Sequence, residues 1–155
     1  MSDERDPETV VREFFAAFGP TIDDMISAAR RYLWPDMYWA SAGFDPPRVK
    51  SLDDLIADLE KARANKGIAG FRFELVSVAA VGDKVLNERF DATVDADGNT
   101  VHEFRLMGIM GVRDGKISYG RDYFYDTTEF GQHYLPEPYE GGGAKVLDGR
   151  VRAGG

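Results

Sequence analysis

Arg89 and Asp91 stand two residues apart in the stretch Val85-Leu86-Asn87-Glu88-Arg89-Phe90-Asp91-Ala92-Thr93-Val94. That stretch reads as a strand, and side chains along a strand alternate with a period of two, so Asn87, Arg89, Asp91 and Thr93 share one face. Leu86, Phe90 and Ala92 face the other way, which the alternation assigns to the core. A later strand, Ile117-Ser118-Tyr119-Gly120-Arg121-Asp122-Tyr123-Phe124, offers a second aspartate among apolar and aromatic residues. Charge inside a sheet must be paired, and one guanidinium can grip a single carboxylate with two hydrogen bonds or bridge two of them. Arg89, Asp91 and Asp122 are therefore taken together as a candidate site. The plainer reading makes Asn87, Arg89 and Asp91 the wet face of an antiparallel sheet. Against it stand Asp122, beside Gly120, Tyr123 and Phe124, and the neighbouring stretch Phe104 to Val112, nearly all apolar apart from Arg105.

The elements that must carry these residues follow from periodicity. Asp6-Pro7-Glu8-Thr9 starts a helix, with Asp6 as cap and Pro7 in the first turn, and Val10, Val11, Phe14, Phe15 and Phe18 form its apolar stripe up to Gly19-Pro20. Thr21 caps a second helix whose buried side is Ile22, Met25, Ile26, Ala29 and Leu33. Pro35 is a poor interior helix residue, and Met37 to Ser41 reads as a short strand. Tyr38 and Ala40 share one face of it and Met37 and Trp39 the other. Either Tyr38 presents its hydroxyl to a pocket while Trp39 packs, or the reverse. Ala42 to Lys50 is a loop, and Ser51 caps a third helix with Leu52, Leu55, Ile56 and Leu59 inward. From Phe71 the period switches to two. Phe71 to Val81, Lys84 to Val94, Val101 to Val112 and Lys116 to Tyr125 form an antiparallel meander, separated by Gly82-Asp83, Asp95 to Asn99 and Asp114-Gly115. Helices followed by a meander give an α+β fold, with helices on one face of a curved sheet and a cone-like pocket between. Alternate strand residues and the aromatics of the first helices would line it.

The 155 residues suit one domain, expected over residues 1–130, with a Gly- and Pro-rich tail over 131–155. A net charge of −8 with no basic block argues against nucleic acid or an anionic membrane as partner. No cysteine and two histidines leave little for a metal site, and neither His102 nor His133 sits in a catalytic pattern. No metal and no organic cofactor are expected, because neither ligand spacing nor a phosphate-binding glycine loop is present. The start lacks the features of a secretory signal, and no apolar run approaches the roughly 20 residues of a membrane span, so a cytoplasmic location is expected. Glu88 and Arg121, out of phase with the triplet, are expected to pair across the opposite face. Gly108 and Gly111 read as bulges or close-packing points.

At the Asn87 to Asp91 strand and the Gly115 to Phe124 strand, the sequence resembles the limonene-1,2-epoxide hydrolase family within the nuclear transport factor 2-like (SnoaL-like) superfamily. The helical half matches in layout, including Asp36-Met37-Tyr38-Trp39. The resemblance implies a cone-shaped α+β fold and a homodimer. It implies Asp122 as general base for a water, Asp91 as general acid at the epoxide oxygen, and Arg89 as the bridge. A tyrosine, matched by Tyr38, and an asparagine two residues later would hold the water; the asparagine position falls on Ala40, with Ser41, Asn87 or a shifted tyrosine as substitutes. Trp39, Ala40, Phe44, Asn87, Met107 and Phe124 are the expected contacts for a hydrophobic small-molecule substrate. Epoxide hydrolysis is the first expectation. A cofactor-free lyase, cyclase, dehydratase or isomerase reaction is the second, and non-catalytic ligand binding the third.

Overall fold

The computed structural model describes residues 5–41, 47, 49–64 and 67–125. The expected tail, and Phe44 with most of its loop, lie outside these residues. Among those described there are three helices and five strands: α1 (Pro7–Ala17), α2 (Ile22–Tyr32), β1 (Leu33–Ser41), α3 (Leu52–Arg63), β2 (Gly70–Val81), β3 (Lys84–Val94), β4 (Thr100–Arg113) and β5 (Lys116–Tyr125).

The helix starts are built locally, as the sequence indicates. The Asp6 carboxylate accepts the Thr9 backbone N–H, and Thr21 and Asp24 cap each other's backbone reciprocally at the head of α2. The meander also forms as expected. Gly82 and Gly115 take φ values of 61° and 73° at its tight turns, a region where a side chain would be strained. The sheet order is β1-β5-β4-β3-β2, antiparallel except for β1, which runs parallel to β5.

Two expectations change. The first strand begins at Leu33, and Leu33 is a fully buried strand residue instead of the end of α2. As β1 lies at the sheet edge with a register shift between Leu33 and Tyr38, the missing N–H of Pro35 costs it little. The core face of β3 is also the opposite one. Val85, on the Arg89 face, joins the cluster formed with Val10, Phe14, Met25 and Leu33, whereas Phe90 and Ala92 are buried outside that cluster. The charged triplet therefore faces the helices. Phe14, with no exposed surface, holds its ring 4.6 Å from Phe18 and 6.2 Å from Trp39, centroid to centroid. Burying such a ring contributes about 1.5–3 kcal/mol and here fixes where Trp39 lies.

Candidate active site

The sheet and the helices form a half-open cavity of ≈ 290 Å³. Its wall is apolar, with Phe15 and Phe18 from the end of α1, Phe71 and Phe73 from β2, Phe104 from β4, and Leu55 and Leu59 from α3. Into this wall Arg89, Asp91 and Asp122 project together. Arg89 is 1% exposed. Its Nε donates to Asp91 Oδ1 at 2.8 Å, its Nη1 donates to Asn87 Oδ1 at 2.9 Å, and its Nη2 lies 2.9 Å from Asp122 Oδ1. The ring of Phe15 caps the guanidinium, 4.8 Å from ring centroid to Cζ.

Strand register explains the convergence. Asn87, Gly108 and Asp122 lie in one row across β3, β4 and β5, so the side chains of β3 and β5 meet over a glycine. A Cβ at Gly108 would stand 2.5 Å from Arg89 Nη1, 2.9 Å from Asp122 Oδ1 and 3.2 Å from Asn87 Oδ1. The expected close packing at Gly108 thus has a definite occupant, the guanidinium. Gly108→Ala should displace it, lowering stability by roughly 1–3 kcal/mol and any turnover by about 10²-fold. Denaturation and steady-state assays of the purified variant check both; an unperturbed variant would mean that the row tolerates a methyl.

Asp122 is 5% exposed and holds two different contacts. Oδ2 accepts the Trp39 indole N–H at 2.7 Å, and Trp39 lies flat over Gly120, where an added Cβ would come within 2.7 Å of the ring. Oδ1 has Arg89 at ion-pair distance, but no N–H is directed onto it, so this buried oxygen keeps a lone pair for another partner.

Burial raises the pKa of Asp91 to about 6, outweighing the attraction of Arg89, and the nearby Asp122 adds to the rise. For Arg89, burial opposes the charge, yet the paired carboxylates prevail and its pKa stays above the usual value. A proton on Asp91 leaves the three groups with no net charge, Arg89 and Asp122 cancelling in an apolar wall. The consequence for stability has a definite sign. With a folded pKa above the unfolded one, Asp91 stabilises the fold below the ordinary carboxylate range, and that contribution is lost as pH rises through about 6. Relative to Asp91→Asn, the wild-type protein should lose about 2 kcal/mol between pH 4 and 8. Urea denaturation of both proteins across that range measures it, and a constant difference would contradict it.

The other expected site residues divide. Trp39 lines the cavity. Asn87, 1% exposed, accepts from Arg89 and donates to the Gly108 carbonyl, so it positions the guanidinium and is not among the residues lining the cavity. Tyr38 lies on the opposite face of the sheet, stacked on Tyr119 with ring centroids 5.4 Å apart, and its hydroxyl accepts from Arg121 at 2.8 Å. Ala40 shares its parity and does not line the cavity. The residue that β1 turns toward Asp122 is therefore Trp39. Met107 is 52% exposed, on the outer face opposite Tyr123, and the side chain of Phe124 lies outside the described residues. Glu88 pairs with Arg105 instead of Arg121, because Arg105 is one diagonal step away across β3 and β4. Among the described residues no group of three or more His, Asp or Glu could hold a metal ion, and no helix is long and apolar enough to cross a membrane.

Helices over one face of a mixed sheet, with an apolar pocket between, define the nuclear transport factor 2-like α+β cone fold, and solved structures agree. An epoxide hydrolase of the limonene-1,2-epoxide hydrolase-like type from M. tuberculosis is 24% identical, with a TM-score of 0.61 over 76% of this chain and 81% of that one. An NTF2-like protein from Burkholderia thailandensis E264 is 22% identical, TM-score 0.59, over 85% and 99% of the two chains. An NTF2-like protein of unknown function from Cytophaga hutchinsonii is 17% identical, TM-score 0.56, over 80% and 94%. No curated protein matches the chain. Within that fold, residues 6–134 match the limonene-1,2-epoxide hydrolase catalytic domain, and the chain belongs to that family.

Proposed function

We propose that the protein opens an epoxide on a hydrophobic small molecule by general acid–base catalysis, with water as nucleophile. The observation that carries this reading is the pairing of Asp91 and Asp122 on one buried arginine at the wall of an apolar cavity. Asp122 takes a proton from water through Oδ1, whose lone pair is unfilled. Asp91, with its pKa near 6, gives a proton to the epoxide oxygen as the C–O bond breaks. Arg89 holds the carboxylates apart in role and together in space. After the diol leaves, the proton gained by Asp122 must return to Asp91, and Arg89 lies between them. Family membership supports the same chemistry. A panel of cyclic and aryl epoxides should yield 1,2-diols; failure to turn over any of them would overturn the reading.

Trp39 favours a second reading. Its indole N–H donates to Asp122, and an indole has no lone pair with which to accept a hydrogen of water. A nucleophile needing less external orientation, such as a hydroxyl on the substrate itself, would suit that wall. An epoxide bearing an internal hydroxyl would then give a cyclic ether without incorporating solvent oxygen. The outer face of the sheet, where Met107 and Tyr123 are half exposed, supports a homodimer assembled across it.

A further inference from the structure

Thr93 is 6% exposed and lines the same cavity, on the same face of β3 as Arg89 and Asp91. Its Oγ1 accepts the His102 backbone N–H at 3.1 Å, where the β3–β4 register shifts. That bond uses the hydroxyl oxygen as acceptor and leaves its proton available as a donor, on a side chain more than nine-tenths buried. A hydroxyl can donate one hydrogen bond while accepting another, so a threonine in a cavity wall can offer its proton to a polar atom of a bound molecule. Apart from Thr93, the polar groups in this wall are the three charged side chains and the Trp39 indole N–H, which donates to Asp122, and two residues along a strand face span about 6–7 Å.

We infer that Thr93 is a specificity residue, donating a hydrogen bond to a second oxygen of the substrate, roughly 6–7 Å along the pocket from the oxygen that Asp91 protonates; the assignment of the reacting oxygen rests on the function proposed above. The preferred substrates are then hydrophobic epoxides that also carry a carbonyl or other acceptor oxygen, in preference to pure hydrocarbons of the same shape. The alternative is that Thr93 serves only as the acceptor for His102 at the irregularity. The two roles separate cleanly, because losing that acceptor affects every substrate alike, whereas losing the donor affects only substrates with the second oxygen.

The test uses a shape-matched pair, 4-acetyl-1,2-epoxycyclohexane and 4-isopropenyl-1,2-epoxycyclohexane, with wild-type protein, Thr93→Val and Thr93→Ser. Wild-type kcat/KM should favour the ketone by roughly three- to tenfold, the range of a single neutral hydrogen bond. Thr93→Ser should retain that preference and Thr93→Val abolish it. The same preference should appear in calorimetric binding of unreactive acetylcyclohexane over isopropenylcyclohexane. A wild-type protein with no preference, or a preference unchanged in Thr93→Val, overturns the inference. Should Thr93→Val fail to fold, Thr93→Ala takes its place and is read for the same loss of preference. Neither epoxide reacting, while the binding preference is present and lost in Thr93→Val, would leave Thr93 as the anchor and overturn the epoxide chemistry instead.

Discussion

Asp122→Asn should lower kcat/KM for an epoxide by roughly 10²- to 10⁴-fold. An amide keeps the shape of the carboxylate, but it gives up the ion pair with Arg89, at a cost in stability, and cannot take a proton from water near neutral pH. The loss should fall mainly on kcat, because the apolar wall that binds the substrate is untouched. Adding Asp91→Asn should cost far less than a second independent factor of that size, since the two carboxylates serve one proton-transfer event. Steady-state kinetics of the single and double variants decide this. Near-wild-type kcat in Asp122→Asn would remove Asp122 from the chemistry.

Arg89→Met should be the most destabilising substitution in the pocket, by about 3–5 kcal/mol at pH 8. Methionine fills much of the volume but leaves the buried Asp122 and the partly buried Asp91 without their shared cation. The only inexpensive response is protonation, so stability should recover as pH falls and the carboxylates become neutral. Thermal denaturation between pH 5 and 8 measures this. A loss under about 1 kcal/mol with no recovery in acid would show that the pocket admits enough water to solvate both carboxylates.

Much of the fold was readable because its boundaries rest on local chemistry. The Thr21 cap and the turns at Gly82-Asp83 and Asp114-Gly115 sit at the ends of elements that match the expected spans, and Lys84–Val94 and Lys116–Tyr125 coincide with them. The meeting of Arg89, Asp91 and Asp122 was readable too, since period two fixes the relation of residues 89 and 91, and a carboxylate amid aromatic residues needs a partner.

What the sequence concealed were facing relations that depend on long-range register. The pattern Met37-Tyr38-Trp39-Ala40 is amphipathic on neither face, so nothing local decides between Tyr38 and Trp39. The decision comes from pairing with β5, which seats Trp39 over Gly120 and lets the Tyr38 hydroxyl reach Arg121. The Phe104 to Val112 part of β4 is apolar on both faces apart from Arg105, which is why Met107 looked equally suited to the pocket. The pocket role of Gly108 is likewise invisible until three strands are laid side by side.

The division of labour between Asp122 and water is tested most directly by a single turnover with enzyme in excess over a simple cyclic epoxide in ¹⁸O-enriched water. A general-base mechanism places one ¹⁸O in the diol on the first turnover and none in the protein. A first-turnover diol without the label, accompanied by ¹⁸O in the Asp122 carboxylate, would mean that Asp122 attacks the epoxide itself, and would contradict the account.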